Sequence, residues 1–402
     1  MNKFINESKK KFTLDTVLVG ILLAMGASSL FNIYLTKPLI GEAMVNSLLL
    51  KQGMWFVIGS ISIYALLKIG VDRMFTLINV AYWILMPILV LLALVGKHVI
   101  SIPFMEPING TAAWIQIPFL GSFQASEFMK IVLVIKSANV IEKHNKEKLE
   151  YTFKSDFKLI FEMAKYTIPP LILIILQPDT GIPIIILVSL ATMFFISGVR
   201  KEWFFIIVGL AAGLLFGIVF LYYNQPDLLV QILGGKSGES YKLIRFYGWL
   251  DYEKYPIDHG YQLYNSLLSI GTAGYTGHPW MNAIAHFPEP QTDFIFAVIA
   301  QNHGFIGASA VILLVFSLPI KLILITLKSN LNLERYMMMG IIGMIVFQDF
   351  QNIAMIMGIL PITGITLPFL SYGGSSLVSY MIPIAVAIHM YSETQNSHSH
   401  SL

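Results

Sequence analysis

The feature that most limits the fold of this chain is a recurring apolar run, each near the roughly 20 residues needed to cross a hydrocarbon layer about 30 Å thick. Ten such runs can be read, at about 16–35, 54–71, 75–96, 125–141, 166–177, 181–198, 203–223, 295–327, 337–358 and 373–392. They predict an all-α integral membrane protein, a bundle of about ten transmembrane helices with one large extracytoplasmic loop. Composition agrees: 56% of the 402 residues are hydrophobic and 12% are charged, too few polar groups to clothe a water-soluble chain. The fourth and fifth runs are the weakest. Lys130 and Lys136 lie in one, and Pro169–Pro170 interrupts the other. Proline is tolerated in a membrane helix where neighbouring protein satisfies the carbonyls it frees.

Charge placement supports the count. With the N-terminus inside, ten spans put 17 of the 26 Lys and Arg on the cytoplasmic side, seven outside and two in the membrane. The asymmetry follows the positive-inside rule and predicts two cytoplasmic termini. Residues 1–15 and 393–402 are then tails of a single membrane domain, 1–402, with 224–292 as its large outer loop. The net charge of +3 reflects the cytoplasmic loops and implies no nucleic-acid partner. The first run, preceded by basic residues and with Ala27-Ser28-Ser29 toward its end, has too long an apolar core for a secretory signal and reads as a retained helix. The chain has no cysteine, which excludes disulfides, thiol nucleophiles and cysteine-held metals.

Polar chemistry gathers between the runs. The loop 224–292 is rich in aromatics (Tyr241, Phe246, Tyr247, Trp249, Tyr252, Tyr255, Tyr261, Tyr264), and YQLYNSLLSIG at 261–271 has helical periodicity. Short amphipathic helices packed on the membrane surface are predicted there, rather than disorder. A second outer loop, 97–124, holds Trp114, suited to anchor at the membrane–water boundary. The segment 358–378, GILPITGITLPFLSYGGSSLV, is dense in Gly, Pro, Ser and Thr; irregular backbone beside a membrane survives only when packed in protein or lining a cavity. The cytoplasmic loop EKHNKEKLEYTFKSDFK reads as charged and solvated, with no chemistry assigned.

An ionisable side chain at the centre of a membrane helix costs roughly 2.5–3.5 kcal/mol, so each one present needs a reason. Glu127 and Lys130, at i and i+3 on one helix face, predict an internal salt bridge. Asp179, in QPDTG, stands at a Pro-flanked break and reads as a helix cap or a cavity residue. Asp293, in PEPQTDFIFA, opens a helix directly off the outer loop, where a carboxylate favours the positive helix end or serves chemistry. Asp349, in FQDFQN, is the deepest and predicts a buried hydrogen bond within the bundle. Together they describe an outward-facing polar cavity with acids and one lysine, roofed by the large loop. Such a cavity suits a transporter, or an enzyme acting on a lipid-linked substrate at the outer leaflet.

Five strings carry a more specific resemblance: QASEFMK at 124–130, QPDTG at 177–181, YQLYNSLLSIGTAGYTG at 261–277, PEPQTDFIFA at 288–297 and GILPITGITLPFLSYGGSS at 358–376. In order and spacing they resemble the motifs of the SEDS family, the shape, elongation, division and sporulation proteins such as RodA, FtsW and SpoVE. The likeness covers essentially the whole chain. It implies a bundle that polymerises lipid II into glycan strands at the outer face of the bacterial cytoplasmic membrane, with a class B penicillin-binding protein as transpeptidase partner. The family's essential aspartate falls on Asp293, implying a general base for a sugar C4 hydroxyl. Lys130, read as the only cation in a helix near that face, is expected to bind the diphosphate or stabilise the leaving group. Ser126, Glu127, Trp114, Gln177, Asp179 and Asn352 are expected around the substrate. Ser371, Tyr372 and Ser375 are expected to offer backbone N–H groups and hydroxyls to phosphate or sugar. A divalent ion, Mg or Mn, is compatible with this chemistry, although no clustered ligands announce a metal site.

The departures from the family pattern are specific. Its arginine before the tryptophan is Ala113 here, and a glutamate eight residues before Asp293 is Ala285. The usual E-E-L-G is Gln301-Asn302-His303-Gly304, the basic stretch after the Gly-rich turn is His278-Pro279-Trp280, and Asp349 adds an acid between Gln348 and Asn352. They leave two other readings open: a non-catalytic SEDS-like scaffold or regulator of a transpeptidase, and a lipid II flippase or other transporter. The sequence shows no internal repeat of the kind many transporters carry.

Overall fold

The computed structural model describes residues 12–107, 111–118, 121–147, 152–233, 241–258 and 260–399. In chain order its elements are α1 (Thr16–Tyr34), α2 (Lys37–Ile40), α3 (Glu42–Ile69), α4 (Val71–Gly96), β1 (Trp114–Ile117), β2 (Gly121–Gln124), α5 (Ala125–Glu147) and α6 (Phe153–Ile175). There follow α7 (Gly181–Ile196), α8 (Glu202–Asn224), α9 (Pro226–Leu233), α10 (Tyr241–Leu250), α11 (Tyr261–Thr272), α12 (Ile295–Lys328), α13 (Asn332–Ile356) and α14 (Gly374–Ser399). A helix therefore stands at each of the ten apolar runs. Seven of these, α1, α3, α4, α8, α12, α13 and α14, are long and apolar enough to cross a membrane by length and composition alone. Of the other three, α7 is apolar but short at 16 residues, while α5 and α6 carry several charges each.

Burial explains which helices tolerate charge. Most of α13 and α14 is buried, and so is α5 along nearly its whole N-terminal half and middle. Their polar side chains thus meet protein instead of lipid. Lys136 of α5 donates to Asn79 Oδ1 at 2.5 Å and lies 4.0 Å over the Tyr166 ring. By contrast, none of the apolar stretch of α8 is buried in the protein, matching a helix apolar all round with lipid as its surroundings.

Three features depart from the sequence expectations. The loop expected to be cytoplasmic and solvated is not solvated throughout, because α6 begins within it at Phe153. Asp156 is buried there and accepts from the Trp203 indole (3.2 Å) and the Arg200 N–H (3.3 Å). Part of the 97–124 loop forms a two-stranded antiparallel hairpin, with Trp114 opposite Gln124. The run at 295–327 is not one straight helix: α12 is broken at Gly304, which sits at φ 62°, ψ −161°.

The break is filled by the 271–277 turn. The N–H groups of Phe305 and Ile306, freed by the break, donate to the carbonyls of Gly274 (2.9 Å) and Tyr275 (3.1 Å), and His278 N–H donates to the Gln301 carbonyl at 2.9 Å. Backbone groups at this depth require such partners. The approach is close enough that a Cβ on Gly277 would stand 2.4 Å from the carbonyl carbon of Asn302. The outer loop itself folds into α9, α10 and α11. It is pinned over the end of α13 by the Trp249 indole on the Gly358 carbonyl (2.9 Å) and the Ser266 hydroxyl on the Ile356 carbonyl (2.7 Å).

Candidate functional site

Asp293 lies just before α12, and its main chain is tied from three sides. The Asn352 amide of α13 donates to the Asp293 carbonyl (2.7 Å), the Ser371 hydroxyl to the Thr292 carbonyl (2.6 Å) and Tyr372 N–H to the Gln291 carbonyl (2.8 Å). Three of the expected substrate residues therefore position the aspartate. The Thr292 hydroxyl reaches Asp293 Oδ1 at 3.1 Å. Burial pushes the Asp293 carboxyl up to about 6; its own backbone N–H, the Thr292 hydroxyl and the Arg245 guanidinium oppose that rise, and the Glu289 charge adds to it. A carboxyl poised there is suited to exchange a proton near neutral pH.

Asp179 stands at the neighbouring helix start. Its Oδ1 accepts from the N–H groups of Gly181 (3.1 Å) and Ile182 (3.2 Å), the helix-cap geometry expected from QPDTG, and Oδ2 accepts from the Gln124 amide at 3.0 Å. Burial raises this carboxyl as well, to about 6, helped by the charge of Glu127 and opposed by the two N–H groups and by Arg245.

One helical turn into α5, Lys130 Nζ meets Glu127 Oε2 at 2.5 Å, with the lysine side chain wholly enclosed and the glutamate 6% exposed. The ammonium also lies 4.2 Å from the centroid of the Tyr380 ring, and the Tyr380 hydroxyl donates to Gln348. The expected internal salt bridge is present. Asp349 differs from expectation: it is fully buried, yet neither carboxylate oxygen has a hydrogen-bond partner.

The irregular 358–373 segment joins these parts. Asn352 also donates to the Ile365 carbonyl at 2.7 Å, and a Cβ on Gly181 would stand 3.1 Å from Ile365 Cγ1. Between them, Gly364 adopts φ 72°, and a Cβ there would meet Arg245 Nη2 at 3.1 Å and Nη1 at 3.4 Å. The α10 guanidinium therefore lies against Gly364, and its charge acts on both Asp179 and Asp293. Lys130 is not the only helical cation at this face, as the sequence reading held. Arg245 was counted there among the outer-loop charges; its place in the amphipathic helix YKLIRFYGWL was the available signal.

The remaining expected residues sit nearby or hold the frame. Ser375 accepts from Gln124 N–H (3.0 Å) and donates to the Ser122 carbonyl (3.2 Å), stapling the hairpin to α14. Gln177 is buried and donates to the Leu89 carbonyl at 3.1 Å. Ser126 is buried with its hydroxyl unpartnered, and Trp114 is half-buried on β1. Among the described residues no three His, Asp or Glu side chains converge as metal ligands. An open groove of about 410 Å³ on α3 is lined by Phe56, Val57, Ser60, Ile61 and Tyr64. None of the candidate residues borders it, so the acids, not that hollow, locate the site.

Comparison with known proteins follows the same lines. The family model of the FtsW/RodA/SpoVE cell cycle proteins matches residues 12–396. The stage V sporulation protein E of Bacillus subtilis is 32% identical over 336 residues, covering 80% of this chain and 84% of that protein. A probable peptidoglycan glycosyltransferase FtsW from Pseudoalteromonas translucida is 31% identical over 313 residues, covering 76% of this chain and 73% of its own. A solved chain from a study of how a peptidoglycan synthase complex coordinates polymerization and crosslinking aligns with a TM-score of 0.70 at 26% identity. The match covers 94% of this chain and 98% of that one.

Proposed function

Since the chain belongs to the FtsW/RodA/SpoVE family, we propose that it is a peptidoglycan glycosyltransferase that polymerises lipid II with Asp293 as its general base. The observation that carries this reading is the Asp293 carboxyl, pushed up to about 6 on a main chain fixed by Asn352, Ser371 and Tyr372. In the reaction, the Asp293 carboxylate takes the proton of a sugar C4 hydroxyl as that oxygen bonds to the anomeric carbon of a second lipid-linked sugar. The anomeric carbon–oxygen bond to the diphosphate breaks, and its electron pair leaves with the undecaprenyl diphosphate. The enclosed Lys130 ammonium supports this developing charge from within the protein, where the low dielectric lengthens its reach. Glu127 and Asp179 border the same space, and Ser126, Gln177, Trp114 and Ser375 line or brace it.

The protein is a multi-pass membrane protein, and both termini lie in the cytoplasm with 224–292 outside, which puts Asp293 at the outer face where a lipid-linked sugar awaits transfer. Its partner is a class B penicillin-binding protein that cross-links the strands. Purified protein incubated with lipid II, alone and with its cognate transpeptidase, is the test. Wild type is expected to form glycan strands, and Asp293→Ala and Lys130→Ala none. Absence of product with every partner would favour the scaffold reading, and an active Lys130→Ala would remove the lysine from the chemistry.

A further inference from the structure

The charge count around the site is unbalanced if Lys130 is the only cation. Its ammonium is wholly enclosed and held at 2.5 Å by Glu127, so it supports the diphosphate's charge only from within the protein, without touching its oxygens. A lipid-linked diphosphate carries about two negative charges, and more as it leaves. Some other group must meet its oxygens directly.

The geometry points to Arg245. We propose that the Arg245 guanidinium of α10 binds the diphosphate of the lipid-linked sugar donor, in the space it shares with Asp179 and Asp293. The proposal deepens the polymerase reading and rests on it for the identity of the donor. Three placements support it. The guanidinium lies against Gly364, whose lack of a side chain leaves it room. Gly364 stands next to Ile365, whose carbonyl is held by Asn352, which also holds Asp293. Ile365 packs against Gly181, the N–H of which is capped by Asp179. One short segment thus connects the place of the arginine to both acids, and its charge acts on each of them. A guanidinium presents its donors as a planar fork that matches phosphate oxygens in pairs, which an ammonium cannot do.

The same placement couples binding to the base. In the structure Arg245 favours the ionised forms of Asp179 and Asp293. A diphosphate that draws the fork to itself lowers that support, and the Asp293 carboxylate becomes a stronger base when the donor is present. Carboxylate and phosphate compete for one cation.

The test is direct binding of farnesyl diphosphate, with farnesyl monophosphate as comparator, to the full-length protein in detergent at fixed ionic strength. Arg245→Gln is expected to weaken diphosphate binding at least tenfold. Arg245→Lys is expected to bind with intermediate strength and to lose much of the preference for diphosphate over monophosphate. Asp293→Asn, with one competitor removed, is expected to bind the diphosphate severalfold more tightly than wild type. Unchanged affinity in Arg245→Gln would overturn the proposal. If that variant does not fold, unchanged discrimination in Arg245→Lys would overturn it instead. Arg245-dependent binding by a protein that never polymerises lipid II would defeat the polymerase reading and leave the diphosphate site standing.

Discussion

The proposed general base has to keep both its position and its charge, and at Asp293 different groups serve the two needs. Asn352, Ser371 and Tyr372 grip the main chain, while Thr292 and Arg245 act on the carboxyl. Asn352→Leu, which removes the grip and leaves the carboxyl, is therefore expected to lower kcat about 10- to 100-fold with little change in KM, measured by lipid II turnover. The raised carboxyl also has a cost. A folded state that favours the protonated acid is penalised once the unfolded carboxyl ionises. The penalty is absent below about pH 4, grows as pH rises and is complete above about 6. Asp293→Asn escapes it and is expected to melt at a higher temperature than wild type at pH 7, the difference vanishing near pH 4; equal melting at both would contradict the assigned burial. At this scale the sequence exposed the acids through their motifs and their depth. It did not expose Arg245, because only the folding of a long loop brings α10 over Gly364. Nor did it show that Asp349 lacks the hydrogen bond its depth seemed to demand.

Element by element, apolar periodicity located the membrane helices well and their interruptions poorly. The signal for the break in α12 was its length: 34 residues span far more than the roughly 20 that cross a membrane. Periodicity alone did not place the break, although the polar string Gln301-Asn302-His303 interrupts the apolar run just before Gly304. What stabilises the break is the distant 271–277 turn, whose carbonyls take the freed N–H groups. Gly277 sits at φ 84° against the Asn302 backbone, so Gly277→Ala meets both a disfavoured backbone conformation and a clash. It is expected to cost about 2–4 kcal/mol, read as a lower melting temperature and faster exchange of the Phe305 and Ile306 amides. A melting temperature equal to wild type would show that the turn does not lock the break. The buried start of α6 was missed for a related reason: Asp156 looks solvated in the sequence, and only Trp203 and Arg200, far along the chain, give it a buried place.

For the whole molecule, the layout follows from where charge can be buried. The charged α5 and the polar stretch of α13 occupy the centre, and the uniformly apolar α8 stands at the rim. The proposed orientation in the membrane rests on the basic loops. The absence of cysteine makes it simple to test: a membrane-impermeant thiol reagent is expected to label Lys254→Cys in intact cells but Lys146→Cys only after lysis. The reverse pattern would turn the site to the wrong side of the membrane for a polymerase of the outer leaflet. The chemistry is tested most directly by the rate of glycan-strand formation from lipid II between about pH 5 and 8, for wild type and Asp293→Ala in the presence of the cognate transpeptidase. With lipid II below saturation, wild type is expected to hold a plateau above about pH 6 and to fall toward tenfold per pH unit below it, with the alanine variant at background throughout. Strand formation by Asp293→Ala at the wild-type rate would contradict the assignment of Asp293 as the base.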